Sequence, residues 1–187
     1  MKPKILIVDD IETNLNLIQN ILGRLDVDLI TAYSGIEALS KIKDQEIAIA
    51  LIDIHMPVMD GVELGRIIQN ERNPEIVPII FITAQLMDES KMEEHYESGV
   101  VDYLIKPFSP KILKSKVKVF LELYNQKQQL REQHDLLEQS TIELTRLNKT
   151  LKESNEFNQS ILQTIPFGMD VIDEEGNILF QSGKLES

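Results

Sequence analysis

Four short apolar runs in this chain end in residues that can do chemistry. Lys4–Val8 leads into Asp9 and Asp10, residues 47–52 into Asp53, residues 79–82 into Thr83, and Val100–Ile105 into Lys106. One aspartate after a strand merely starts a turn. The recurrence argues for more, because strands of an open parallel sheet place their carboxyl ends along one edge, where ligands bind. Three carboxylates gathered there raise one another's pKa unless a cation lies between them. Hard oxygen donors with an open site suit magnesium, which also favours a phosphate ligand. Lysine supplies a point charge for phosphate oxygens, threonine a hydroxyl donor, and a carboxylate can itself be the nucleophile. The set reads as phosphoryl transfer onto Asp53.

The elements that must position these residues follow from periodicity. The unbroken apolar run at 47–52 predicts a strand buried on both faces. Lys4–Val8 and Asp28–Ala32 are shorter strands, and residues 79–82 and Val100–Ile105 complete five. Between them, Ile11, Leu15, Ile18, Leu22 and Leu25 fall on one helical face. Ser34 to Glu37 has capping-box spacing ahead of Ala38, Leu39 and Ile42. Asp60 opens a helix with Val62, Leu64, Ile67 and Ile68 that ends before Asn73-Pro74. Residues 88–97 predict a short polar helix closed by Gly99, and Ser109-Pro110 a strong helix start. Strand and helix alternating five times predict an α/β, flavodoxin-like (βα)5 domain with a central five-stranded parallel sheet.

Composition sets the outer limits. The 187 residues carry a formal charge of −12 and no cysteine. Disulfides and cysteine metal sites are thereby excluded, in keeping with a cytoplasmic location. The acidic balance opposes nucleic-acid binding, and no apolar stretch approaches membrane-spanning length.

The residues Asp9-Asp10, the run D53-I-H-M-P-V-M-D-G61, Thr83-Ala84 and D102-Y-L-I-K-P-F108 closely resemble the receiver domain of two-component response regulators. The likeness covers roughly residues 3 to 122. It implies that Asp53 accepts a phosphoryl group from a histidine kinase or phosphotransfer protein. It implies that Asp10, Asp53 and the backbone carbonyl of His55 coordinate Mg2+, with Asp9 helping through water. Lys106 would pair with the phosphate, Thr83 would move toward it, and Tyr103 would rotate inward as a switch. The Lys106-Pro107 bond is expected to be cis. The His55 imidazole is expected to face solvent, Met56 and Met59 to pack the loop, and Asn14 to lie beside the site.

Beyond the receiver-like part, no proline or glycine occurs between Pro110 and Pro166. Leu123, Leu130, Leu137, Leu144 and Leu151 recur every seven residues. With these at d, the a positions are Phe120, Lys127, His134, Thr141, Asn148 and Asn155. That is a leucine-zipper seam with a polar a layer, which predicts a parallel homodimeric coiled coil. Residues 161–180 resemble the opening of a PAS sensory domain: a short helix, a strand, an acidic Gly-Asn turn, a second strand. The expected organisation is a receiver at 1–121, a coiled-coil linker at 122–160, and a PAS domain beginning at 161–187 and continuing past the end of this chain.

The leading function is a phosphoacceptor signalling module with at most self-dephosphorylating activity. An aspartyl-phosphate phosphatase of haloacid-dehalogenase type needs Asp-x-Asp, and Asp53-Ile54-His55 lacks the second acid. A scaffold without chemistry fits poorly with a filled acidic set. A DNA-binding regulator finds nothing basic enough here.

Overall fold

The computed structural model describes residues 2–71, 76–84, 100–164 and 169–182. Contacts divide the chain into two units, Met1–Gln129 and Leu130–Ser187. The first holds a five-stranded sheet built from β1 (Lys4–Val8), β2 (Asp28–Ala32), β3 (Ile49–Asp53), β4 (Ile79–Thr83) and β5 (Val100–Ile105). All four pairings are parallel, in the order β2-β1-β3-β4-β5. This is the flavodoxin-like arrangement, whose strand order reverses between β1 and β3.

Side chains of a strand alternate between its faces, and the core divides accordingly. Leu6, Val8, Ala50, Ile52, Ile79 and Phe81 pack on one side with Ala38 and Ile42 of α2 (Gly35–Ile42) and with Leu64 and Ile68 of α3 (Gly61–Glu71). Ile5, Ile7, Ile49, Leu51, Ile80 and Ile82 pack on the other, against Leu15, Ile18, Ile21 and Leu22 of α1 (Glu12–Leu22). The same side receives Leu113, Val117 and Leu121 from α4 (Pro110–Thr164). Every residue of β3 and β4 is buried, as the apolar runs require. Between β4 and β5 the register slips: Ile79 stands opposite Val100, but Ile80 stands opposite Asp102.

Several boundaries differ from those read in the sequence. β3 begins at Ile49, not at residue 47, and includes Asp53, which pairs with Ile82. Ile47 and Ala48 are buried all the same. Ile11 is the N-cap of α1 and about half exposed, so it does not join that helix's buried face. Ser34 does cap α2 by accepting from the Glu37 amide at 3.2 Å. The return bond of the expected capping box goes one residue further back, to the Tyr33 amide at 2.7 Å. Asp60 caps α3 through the Glu63 amide at 2.7 Å. The expected helix at 88–97, its Gly99 cap and the Asn73-Pro74 stop lie outside the described residues.

Helix α4 starts where Ser109-Pro110 predicts, with Ser109 Oγ accepting from the Lys111 amide. It continues unbroken to Thr164, so residues 161–164 end this helix and form no separate short one. In the second unit, β6 (Met169–Ile172) and β7 (Ile178–Ser182) pair as an antiparallel hairpin. Its turn places Gly176 at φ 86°, a conformation that favours glycine. Asp173 Oδ1 accepts from the amides of Glu175 and Asn177 to fix that turn.

Candidate functional site

The carboxyl ends of β1 and β3 meet at the point where the strand order reverses, the position where sheets of this kind open a crevice. The end of β1 delivers Asp9, which is fully buried, and Asp10, which is exposed. The end of β3 delivers Asp53, 6% exposed. One carboxylate oxygen from each of the three lies within 4.8 Å of the other two.

Lysine 106 closes this cluster from β5. Its Nζ donates to Asp9 Oδ2 at 2.9 Å and to Asp53 Oδ1 at 2.7 Å. The Lys106 amide donates to the Thr83 carbonyl at 2.7 Å, which ties the end of β5 to the end of β4. Thr83 itself is buried, and the Lys106-Pro107 peptide is cis. The five residues that end the apolar runs, Asp9, Asp10, Asp53, Thr83 and Lys106, are therefore on one edge of the sheet.

Asp9 is held from below as well. Its Oδ1 accepts from the Ile11 amide at 3.0 Å and from Asn14 Nδ2 at 2.9 Å. Asn14 Nδ2 also lies 3.0 Å from Asp9 Oδ2. Proximity of Asn14 was legible from helical spacing; its grip on both oxygens of Asp9 was not. His55 is exposed, while Met56 is buried and Met59 partly so, as a loop-packing role requires. Tyr103 lies next to the cluster's own strand end but turns its ring toward Phe81, with centroids 5.9 Å apart.

Electrostatics follow from this crowding. Burial pushes the Asp53 carboxyl above the usual carboxylate range, with Lys106 opposing and the charges of Asp9 and Asp10 adding to the rise. For Lys106 burial works downward, but the bonds to Asp53 and Asp9 outweigh it and its pKa is raised. An acidic cluster that holds one cation partly neutralised still carries surplus negative charge. Three hard oxygen donors so close together are a donor set that fits magnesium.

The loop joining β3 to α3 carries two features that residue types and spacing do not reveal. Gly61 comes so near the backbone of β3 that an added Cβ would lie 2.2 Å from the Asp53 carbonyl oxygen. Val58 has φ 71°, a left-handed conformation that β-branched residues rarely adopt, and it is 91% exposed. Asp60 was legible as a helix start; only the packing shows why the residue after it is glycine.

A family model described as the response regulator receiver domain matches residues 5–118, and the chain belongs to that family. Over 121 residues it is 36% identical to the alkaline phosphatase synthesis transcriptional regulatory protein PhoP of Bacillus subtilis, spanning 65% of this chain and 49% of that protein. A chemotaxis protein CheY homolog of Campylobacter jejuni is 34% identical over 116 residues, 61% of this chain and 88% of the relative. The chain thus spans about half the length of the first of these relatives and most of the second. Among solved structures, a two-component response regulator from Clostridium difficile superposes with a TM-score of 0.60 at 30% identity, covering 66% of this chain and 99% of the other. Chemotaxis protein CheY4 of Vibrio cholerae gives 0.59 at 27% identity, covering 64% and 99%. Among the described residues, no helix is long and apolar enough to cross a membrane.

Proposed function

We propose that Asp53 is the phosphoacceptor of this receiver domain and takes its phosphoryl group from a histidine kinase or a phosphotransfer protein. The observation that carries this is the bridge from Lys106 Nζ to both Asp9 and Asp53 within a cluster of three carboxylates. In the step, an Asp53 oxygen forms a bond to phosphorus as the donor's nitrogen–phosphorus bond breaks, and the leaving imidazole takes up a proton. Lys106 would follow the charge as it spreads onto the phosphoryl oxygens, a role that its ion pairs with Asp9 and Asp53 support. Asp9, Asp10 and Asp53, with the His55 carbonyl, would hold Mg2+, which supplies positive charge against the cluster's repulsion and toward a phosphate. Thr83 and Tyr103 form the switch, a hydroxyl that donates to the phosphoryl group and a ring that follows it inward.

The rest of the chain carries the change onward in this reading. Residues 1–121 are the receiver, 122–160 a coiled-coil linker that makes a homodimer, and 161–187 the beginning of a PAS-like domain; the protein works in the cytoplasm. The heptad leucines support the linker, since Leu123, Leu130, Leu137, Leu144 and Leu151 are all more than half exposed on the single chain. An exposed apolar stripe of that length on one helix calls for a second helix. The antiparallel hairpin of β6 and β7 supports the PAS-like reading, and a hairpin so short needs further strands for a core.

The test is incubation with acetyl phosphate and magnesium, followed by intact mass measurement. The wild-type chain gains one phosphoryl group, and Asp53→Asn gains none. A modification that persists in Asp53→Asn overturns the assignment.

A further inference from the structure

At the end of the sheet away from Asp53, a cavity of about 280 Å³ opens between α4 and the segments that lead into β3 and β4. Its helical wall consists of Phe120, Leu123, Tyr124 and Lys127. Those four residues are spaced i, i+3, i+4 and i+7, so they form one diamond on the helix surface. In the heptad register set by the leucines they are a, d, e and the next a. Four residues in that pattern are the hole into which a two-stranded coiled coil inserts a side chain of its partner. The opposite wall comes from Ile47, Ile76 and Pro78 of the receiver body, which deepen the hole with apolar surface. Leu123 is 54% and Ile76 70% exposed on the single chain, so among the described residues nothing covers this apolar pocket.

We infer that this groove is the first knob-hole of the homodimer and receives Leu123 from a second copy of the chain. The inference rests on the coiled-coil reading above and extends it: the dimer interface begins on the receiver domain itself. The occupant is fixed by register, because a parallel partner in the same heptad frame brings its own Leu123 to the level of this diamond. Glu46 and Lys127, both at the groove, give it one charge of each sign, which a second identical copy can match. The segments forming the receiver wall run directly into β3 and β4, whose far ends are Asp53 and Thr83. The seat of the partner's leucine and the acidic cluster are therefore opposite ends of the same two buried strands.

Because the chain contains no cysteine, single cysteines test this directly. Two versions of the full chain distinguishable by mass, one Leu123→Cys and the other Ile76→Cys, are mixed and oxidised. Leu137→Cys, oxidised alone, reports on the distal seam. The expected result is a disulfide between the Leu123→Cys and Ile76→Cys chains, together with efficient Leu137→Cys cross-linking. Leu123→Glu should then weaken the dimer at least tenfold by light scattering, while Leu123→Met leaves it intact. If Leu137→Cys cross-links but the mixed pair does not, the coiled coil stands and the groove assignment is overturned. If Leu137→Cys fails as well, the coiled-coil reading falls and the groove assignment falls with it.

Discussion

Gly61 lies against the backbone of Asp53: an added Cβ would sit 2.2 Å from the Asp53 carbonyl oxygen and 2.9 Å from Ile54 Cα. The neighbours are main-chain atoms of the last residue of β3 and the residue after it, both buried, so they cannot swing aside as a flexible side chain would. Gly61→Ala must therefore push α3 away from β3 or displace the end of β3 that presents Asp53. Overpacking of this kind costs about 1–3 kcal/mol. Thermal denaturation should show that loss, and the initial rate of labelling by acetyl phosphate should fall with it. An unchanged melting temperature and rate would show that the loop yields freely.

The raised pKa of Asp53 sets a pH dependence with a definite sign. A carboxyl that takes its proton more readily in the fold than in the unfolded chain, whose reference value is 3.8, makes the native state bind more protons. Its contribution to stability is then most favourable below that value and declines as pH rises through the folded pKa. Asp53→Asn removes the buried charge while Lys106 keeps Asp9 as partner. The variant should be at least as stable as wild type at pH 7, and the difference should vanish near pH 3. Lys106 acts at the other end of the scale: its raised pKa contributes stability below 10.5 that is lost as pH climbs beyond it. Denaturant titrations across pH 3 to 11 measure both limbs.

Magnesium should stabilise the wild-type chain, by about 1.4 kcal/mol when its concentration is tenfold above the dissociation constant. Asp10→Asn removes one ligand and one repelling charge together. The metal-free variant should melt higher than wild type and gain less from magnesium. Equal gains in both would remove Asp10 from the ligand set.

Val58 stands in a left-handed conformation on an exposed loop, with no packing to lose. Relieving that strain with Val58→Gly should stabilise the fold by about 1 kcal/mol, because β-branched residues suffer most there. A melting temperature that drops instead would mean that the side chain has a partner in solution.

Much of this was legible in the sequence because apolar runs ending in Asp9, Asp53, Thr83 and Lys106 leave few alternatives to a parallel sheet with one functional edge. The boundaries of β2 and β5 match the runs themselves. What escaped depends on three-dimensional neighbours. Ile112 is the apolar neighbour of Leu113 at the start of α4, yet it is half exposed, while Leu113, Val117 and Leu121 are buried against the sheet. Periodicity gives a face but not its centre. Asp102 shows the same limit: it accepts from its neighbour's amide at 2.8 Å and pairs with Lys116 on α4, a link between strand and helix that spacing alone does not reveal.

The slip in register between β4 and β5 decides more than a local irregularity. With it, Phe81 stands beside Tyr103 and Thr83 beside Ile105, so Lys106 emerges at the level of the Thr83 carbonyl. Without the extra residue, Ile80 would face Val101 and Phe81 would face Asp102, because a shift of one exchanges the two sides of a strand. The aromatic ring would then belong to the α4 side and the carboxylate to the apolar core. Lys106 would also stand about 3.3 Å further along the strand, past its bridge between Asp9 and Asp53. A single residue thus acts as a counter for the whole strand: it assigns each later side chain its layer and stops the count with the lysine at the acidic edge.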